Sequence, residues 1–368
     1  MSVVLEQLKD DLPSALVDLD AYDRIAAVAA ILPERLSTFW GLECHLGEPE
    51  AAADILFEIR NKSRGLAALA GYADSNLNEL CTIHPAWKTL REFARHWTDK
   101  DHLFHSHIYN MWLEFDVARA TTPRSLQHAM LQPNFFFGPE RTNATPEELV
   151  AIISEIMHLF GRSMPPLQQL RAFTSTLPVN ARLFQIGLML TRENDHGLRL
   201  CVNNLETNQI PAWLSGLGIG GHDNAVSALL NELSPLIDHC CIDLNLTGQG
   251  VDCTFGIECY TKERNDTPDQ WIPLLEYLCS RGLCLPQKKS ATVSFPGITD
   301  VPLHSRVDRE IVYINPVRSI NHCKITVVDG RAAQAKVYLA VKRHGMSAEL
   351  LNFHNQQNTP SDQAWNIH

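Results

Sequence analysis

The chain has 368 residues, of which 45% are hydrophobic and 20% charged, enough for a sizeable core in one large domain or two ordinary ones. Its formal net charge of −11 argues against nucleic acid as the main partner, because phosphate binding needs a basic surface, but it is compatible with an anionic small molecule held by a few cations. The sequence has no apolar run of the roughly 20 residues that span a membrane and no signal-peptide pattern at its start, so we expect a cytoplasmic protein.

The first hundred residues show helical spacing and no clear strand. At residue 108 the period changes to alternation, with Leu113 and Phe115 on one face and Trp112, Glu114 and Asp116 on the other. A short apolar run follows at residues 135–137. These patterns predict an N-terminal helical region followed by the first strands of a sheet.

A cycle of helix and hairpin then begins. Thr145, Pro146 and Glu148 form a helix start, and the helix is predicted to stop at Gly161. Two strands, a second helix, two further strands and a third helix follow, and four more strands complete the pattern. The predicted segments are strands at 183–191 and 198–204, a helix at 223–236, strands at 241–247 and 253–260, a helix at 268–281, and strands at 291–295, 311–315, 322–328 and 334–342.

Each hairpin strand has one apolar face, which helices can cover, and one polar face. The polar faces carry Gln185, Arg199, Cys201, Asn203, Asp243, Asn245, Thr247, Thr254, Glu258, Tyr260, Lys324, Thr326, Lys336, Tyr338 and Lys342. An open antiparallel sheet with one face in water and a closed sheet with a polar lumen both fit this pattern. The chemical mixture on the polar faces and the width of the sheet favour closure.

We therefore predict an α+β fold, a ten-stranded antiparallel β-barrel with a polar lumen, ringed by α-helices built from repeated helix–hairpin units. Residues 1–107 are expected to form a helical region packed on the barrel, residues 108–350 the barrel itself, and residues 351–368 a polar, disordered tail.

The polar-faced hairpins resemble those of the ABBA, or PT-barrel, aromatic prenyltransferases. Most of the likeness rests on the sequence Lys336-Val337-Tyr338-Leu339, which is similar to a Lys-x-Tyr pair that faces the lumen in that family and binds the prenyl diphosphate. The resemblance implies similar roles for Arg199 and Lys324, and it implies that Glu114 corresponds to the first-strand glutamate that holds the aromatic acceptor. The chain departs from the family pattern at Arg199-Leu200-Cys201 and at Glu258-Cys259-Tyr260.

The activity that this resemblance implies is transfer of a prenyl group from an allylic diphosphate to an aromatic or peptide acceptor of natural-product type. Glu114 would then be the catalytic residue, with Arg199, Lys324 and Lys336 around the diphosphate and Tyr260 and Tyr338 shielding the prenyl cation. No cofactor is required, although Mg²⁺ is possible. Further lumen candidates are Gln185, Asp243, Asn245 and Glu258.

Two alternatives stay open. The same barrel could host a lyase or cyclase that uses Glu114 as general acid or base, or the protein could bind a small molecule or peptide without catalysis.

We predict no bound metal. The ten cysteines show no CxxC spacing and are expected to be free thiols. His105 and His107 would share a strand face next to His102, but no carboxylate partner is evident nearby.

Overall fold

The computed structural model describes residues 2–34, 36–72, 77–118, 120, 122–139, 145–162, 167–191, 197–261, 268–301, 311–313, 315–343 and 345–347. Residues 194–196, between the strands predicted at 183–191 and 198–204, and the predicted tail lie outside these ranges. Within the ranges, no helix has the length and apolar character needed to cross a membrane.

Ten antiparallel strands close into one barrel, as predicted. Each strand pairs with the next along the chain, and β10 pairs with β1 to complete the ring. The strands are β1 Phe39–His45, β2 Ala53–Arg60, β3 Ile108–Phe115, β4 Asn134–Pro139, β5 Arg182–Leu188, β6 Leu198–Asn203, β7 His239–Thr247, β8 Phe255–Tyr260, β9 Val317–Val328 and β10 Arg331–Lys342.

Helices connect and surround the hairpins. The α-helices of the described ranges are α1 Ser2–Leu8, α2 Leu19–Ile31, α3 Arg64–Ala70, α4 Leu77–Ile83, α5 Pro85–Thr98, α6 Leu103–His107, α7 Pro123–Leu131, α8 Pro146–Leu159, α9 Leu167–Ser175, α10 Ile210–Gly216, α11 Asp223–Leu233, α12 Ile272–Ser280 and α13 Pro286–Ser294. The predicted start of α8 is confirmed, because Thr145 and Glu148 form a reciprocal capping box.

The hydrophobic core lies between the barrel and the helices. Outward-facing strand residues such as Ile186, Leu244 and Ile257 are fully buried, as are Leu230 of α11 and Leu278 of α12. This arrangement leaves the opposite strand faces for the lumen.

The prediction that the first 107 residues contain no strand is wrong, because β1 and β2 both lie there. The sequence of β2 does alternate, with Ala53, Ile55, Phe57 and Ile59 on one face and mostly polar residues on the other. The alternation of β1 is less regular, because Phe39 and Gly41 share the lumen face with Glu43. The packing at Gly41 is close, since a side chain there would meet the carbonyl of Leu339.

Two segments predicted as strands of the barrel are not part of it. Residues 291–295 belong mostly to α13, which begins at Pro286 and is held by Lys288, whose buried Nζ donates to the carbonyls of His45 and Glu50 at 2.7 and 2.6 Å. The β-branched residues at 292 and 293 suggested a strand, but the proline start and these tertiary bonds favour a helix. Ile311–Tyr313 pairs instead with Gly345–Ser347 in a separate two-stranded sheet.

Candidate functional site

The lumen contains a cavity of about 470 Å³ lined by side chains from all ten strands. Alternation along closed strands brings one face of each to this space. Nine of the ten predicted site residues line it, namely Glu114, Gln185, Arg199, Asp243, Glu258, Tyr260, Lys324, Lys336 and Tyr338. Their placement is established by the structure, whereas their chemical roles stay predictions.

Asn245 is the predicted lumen residue that does not line the cavity. It lies two residues after Asp243 on β7. It pairs with Arg199 of β6, and its side chain packs over Gly197. A Cβ at Gly197 would come within 2.6 Å of Asn245 Oδ1, so this side chain occupies space at the end of the hairpin.

Asp243 is the centre of a buried charge cluster. Lys324 Nζ donates to its carboxylate, Arg199 Nη1 lies 3.2 Å from Oδ2, and the Lys324 ammonium lies 3.9 Å from Glu258. Burial alone would raise the pKa of Asp243, but Arg199 and Lys324 hold it below its ordinary value. Gly256 makes the approach possible, since a Cβ there would come within 2.6 Å of Lys324 Cε.

Glu43 forms a second charged cluster that the sequence analysis missed. Lys336 Nζ and the Tyr338 hydroxyl both donate to its carboxylate, and Lys336 holds the pKa of Glu43 well below its ordinary value although burial opposes this. Glu43 is directly opposite Tyr338 across the β1–β10 pair that closes the barrel. Because β1 was expected to be helical, the glutamate could not be assigned to the lumen.

His322 lies between two tyrosine rings. Its ring stacks on Tyr338 at 4.1 Å between centroids and contacts Tyr260 at 5.1 Å. Burial and the nearby Lys324 lower the pKa of His322 to about 3, so the imidazole is neutral at physiological pH. A register shift between Ile320 and His322 explains why both Asn321 and His322 reach the cavity.

Glu258 is a lining carboxyl group whose pKa is raised. The Tyr260 hydroxyl donates to it at 3.0 Å, and burial raises its pKa above the ordinary value despite the opposing effect of Lys324. Burial and Glu258 likewise raise the pKa of Tyr260. This pair can therefore hold a proton close to the Lys324 ammonium.

The opposite wall is aromatic. Phe39 and Trp112 meet edge to face at 5.2 Å, and Phe136 is directly opposite Trp112 across the β3–β4 pair. Gly187 leaves room for Phe136, because a Cβ there would come within 2.2 Å of its ring. Glu114 lies on this wall, so a carboxylate adjoins aromatic faces of the kind that stabilise cations.

The charges of the lining are nearly balanced. Three cations, Arg199, Lys324 and Lys336, face four carboxylates, Glu43, Glu114, Asp243 and Glu258. Each cation already contacts a carboxylate. The lumen is thus a polarised cavity of paired charges rather than a uniformly positive one.

The predicted histidine cluster has a different geometry from the one expected. His105 and His107 lie in α6 rather than in a strand, and His102 precedes this helix. The expectation that no carboxylate is nearby is wrong, because Glu155 Oε1 of α8 lies 2.9 Å from His102 Nε2.

The fold has a counterpart among solved structures. No family model matches the sequence, and no curated protein sequence matches it. The crystal structure of AnaPT from Neosartorya fischeri, an ABBA prenyltransferase, is similar with a TM-score of 0.53 and 10% identity, over 93% of this chain and 91% of that chain. At this identity the similarity concerns the fold alone.

Proposed function

We propose that the protein is a transferase that moves a prenyl group from an allylic diphosphate to an aromatic or peptide acceptor of natural-product type inside the barrel. The observation that carries this proposal is the grouping of Arg199, Lys324 and Lys336 on one wall of the lumen beside Tyr260 and Tyr338. The proposal places the protein in the cytoplasm.

The three cations are close enough to act on one anion. Lys324 and Lys336 are directly opposite each other across the β9–β10 pair, and Lys324 and Arg199 contact the same carboxylate of Asp243. Arginine and lysine donors in a site with little water are the groups that stabilise a departing diphosphate.

The reaction follows from the two walls. The allylic C–O bond breaks, and the diphosphate leaves with the electron pair toward the three cations. The ring of Trp112 stabilises the allylic cation, and Tyr260 and Tyr338, whose rings stack on His239 and His322 respectively, shield it from water. The acceptor then forms the new C–C or C–heteroatom bond and loses a proton, for which Glu114 is the proposed base.

The existing ion pairs set a condition on donor binding. A diphosphate must share or displace Asp243 and Glu43, and its own negative charge adds to that of four carboxylates. Mg²⁺ would offset this charge. Carboxylate oxygens of Asp243 and Glu258 lie within 4.8 Å of each other and could bind it, provided that the Lys324 ammonium, which contacts both residues, first moves to the diphosphate. We therefore expect donor binding to be stronger with Mg²⁺ present.

Thermal unfolding with dimethylallyl, geranyl and farnesyl diphosphate, each with and without Mg²⁺, tests the proposal. We expect at least one donor to raise the unfolding midpoint by several degrees, since a ligand that binds only the folded state stabilises it. Lys336→Met should remove most of this shift. Lys342→Met is the control and should retain the shift. Lys342 belongs to the same strand and lies over the Phe39 ring, but it does not line the cavity itself. Absence of a shift with every donor would sink the proposal.

Acid–base chemistry in the same lumen is a second candidate. The cavity lining has one more carboxylate than it has cations, and the pKa of Glu258 is raised; both observations favour this candidate. A lyase or cyclase would use Glu258 or Glu114 to move a proton. Binding of a small molecule without turnover would point to a carrier. A protein that binds aromatic ligands but no diphosphate would support these alternatives over prenyl transfer.

A further inference from the structure

A cluster of two histidines and one glutamate lies in the helix layer outside the barrel. His96 is in the last turn of α5, His102 caps α6, and Glu155 is in α8. One potential metal-binding atom from each residue lies within 4.8 Å of the other two. The cluster is separate from the lumen, so nothing in the proposed transfer reaction depends on it.

The distances within this cluster fit a metal ion. Glu155 Oε1 lies 2.9 Å from His102 Nε2 and 3.8 Å from His96 Nδ1. Ligand atoms about 2.0 Å from a tetrahedral zinc ion are about 3.3 Å from one another, and the two observed separations lie on either side of that value. The side chains are between 20% and 38% exposed, so an ion and a water ligand can reach them.

The imidazole nitrogens supply a second, independent indication. Within the described residues, Nδ1 of His96 is buried and makes no hydrogen bond, although it is aimed toward the carboxylate. The rings of His96 and His102 are stacked at 4.4 Å between centroids. Because an imidazole lone pair lies in the plane of its ring, one of the two stacked rings must turn for both nitrogens to bind the same ion.

We propose that His96, His102 and Glu155 bind a divalent transition-metal ion, with zinc as the expected occupant. Two imidazoles and a carboxylate form a donor set typical of zinc, and three protein ligands leave a fourth position for water. Because the ligands come from α5, the start of α6 and α8, the ion would fasten these helices together over the outer face of the barrel.

Metal binding requires a proton shift in His102. The amide of Phe104 donates to Nδ1 of His102 at 3.2 Å, so the neutral ring carries its proton on Nε2. A metal would bind Nε2 through its lone pair, so the ring proton would move to Nδ1. The Phe104 amide would then lose its acceptor and donate to water instead. Nitrogen NMR of the full chain should report this change of tautomer when zinc is added.

The main test measures zinc bound to the full chain after chelator treatment, dialysis against zinc and gel filtration. We expect about one zinc per chain. His96→Gln, Glu155→Gln and His102→Asn should each weaken binding at least tenfold, because even residues that only support metal ligands contribute that much. Asparagine at position 102 retains a side-chain oxygen to cap α6.

Two variants serve as matched controls. His107→Asn removes another histidine of the same interface, one that lies 4.0 Å from Glu148 without a second imidazole. Cys201→Ser removes the thiol of the other three-residue cluster that the described residues offer for a metal. Zinc should raise the unfolding temperature of the wild type, because it binds the folded state. Both control variants should retain one zinc per chain and this rise.

Cobalt(II) gives a further readout, because coordination by nitrogen and oxygen produces visible absorption without the strong thiolate bands that cysteine ligands cause. The proposal is overturned if the wild-type chain retains no zinc, if the three ligand variants bind zinc as it does, or if His102 keeps its tautomer. In those cases the cluster is an imidazole–carboxylate ion pair between helices.

Discussion

At the scale of single residues, Asp243 determines how the charged residues of the lumen are arranged, because it is 1% exposed and contacts both Lys324 and Arg199. A buried carboxylate that loses a partner is costly, often by about 3–5 kcal/mol. The structural and catalytic contributions of Lys324 therefore need to be separated.

Lys324→Met should lower the free energy of unfolding by about 3 kcal/mol and abolish donor binding. The double variant Lys324→Met with Asp243→Asn removes both charges but also takes the Asp243 carboxylate from Arg199, so we expect it to recover part of the stability and none of the donor binding. Chemical denaturation measures the first effect and ligand-induced thermal shifts the second. Recovery of donor binding in the double variant would show that Lys324 is only structural.

His322 should make the protein sensitive to acid. Its pKa falls from an ordinary value near 6.5 to about 3 on folding, so the unfolded chain binds a proton that the native protein does not. Its contribution is complete above pH 6.5 and decreases by about 1.4 kcal/mol per pH unit as the pH falls toward 3.

The measurement is the difference in unfolding free energy between the wild type and His322→Gln from pH 7 to pH 4. The difference is needed because burial raises the pKa of Asp54 from 3.8 to about 8, which gives a slope of opposite sign over this whole range. We expect the gap between the two proteins to narrow steadily as the pH falls. A constant gap would mean that folding does not lower the pKa of His322.

At the scale of elements, the hairpins from β5 to β10 follow patterns that a sequence shows directly. Alternation put Tyr338 and Lys336 on the correct face, and proline and glycine positions gave the limits of α8. Strand β1 lacks such a clear pattern, because Phe39 and Gly41 share the lumen face with Glu43. For that reason β1 was missed, and with it Glu43, which binds two of the residues predicted for the site.

Gly256 of β8 leaves the space that the Lys324 side chain occupies as it crosses this strand. Gly256→Ala would place a methyl group 2.6 Å from Lys324 Cε, so the lysine must move away from Asp243. We expect donor affinity to fall about tenfold, while stability falls by about 1–2 kcal/mol. Gly248→Ala in the turn after β7 meets nothing within 4 Å and is the control; equal effects of both changes on donor binding would refute this explanation.

At the scale of the whole molecule, closure of the barrel depends on both ends of the described chain. Strand β1 pairs with β10 and β2 pairs with β3, so the predicted barrel segment starting at residue 108 lacks two of the ten strands. Strands β10 and β3 would then present long open edges, which favour aggregation.

A chain that begins at residue 108 should therefore not fold by itself. We expect it to aggregate or to unfold without a cooperative transition, in contrast to the full chain, and calorimetry with light scattering measures both properties. A soluble fragment with a sharp thermal transition would show that residues 108–350 are an independent domain, as the sequence had suggested.

The two walls of the lumen come from different parts of the chain. The aromatic wall is built from β1 to β4, before residue 140, and the cations come from β6, β9 and β10, after residue 198. In the proposed reaction, acceptor choice and donor handling are thus encoded in separate stretches of the gene. Recombination near residue 180 with a related barrel would change acceptor specificity or donor specificity separately. The exchanged barrel would need a glutamate at position 43, because Glu43 binds Lys336 across the β1–β10 pair.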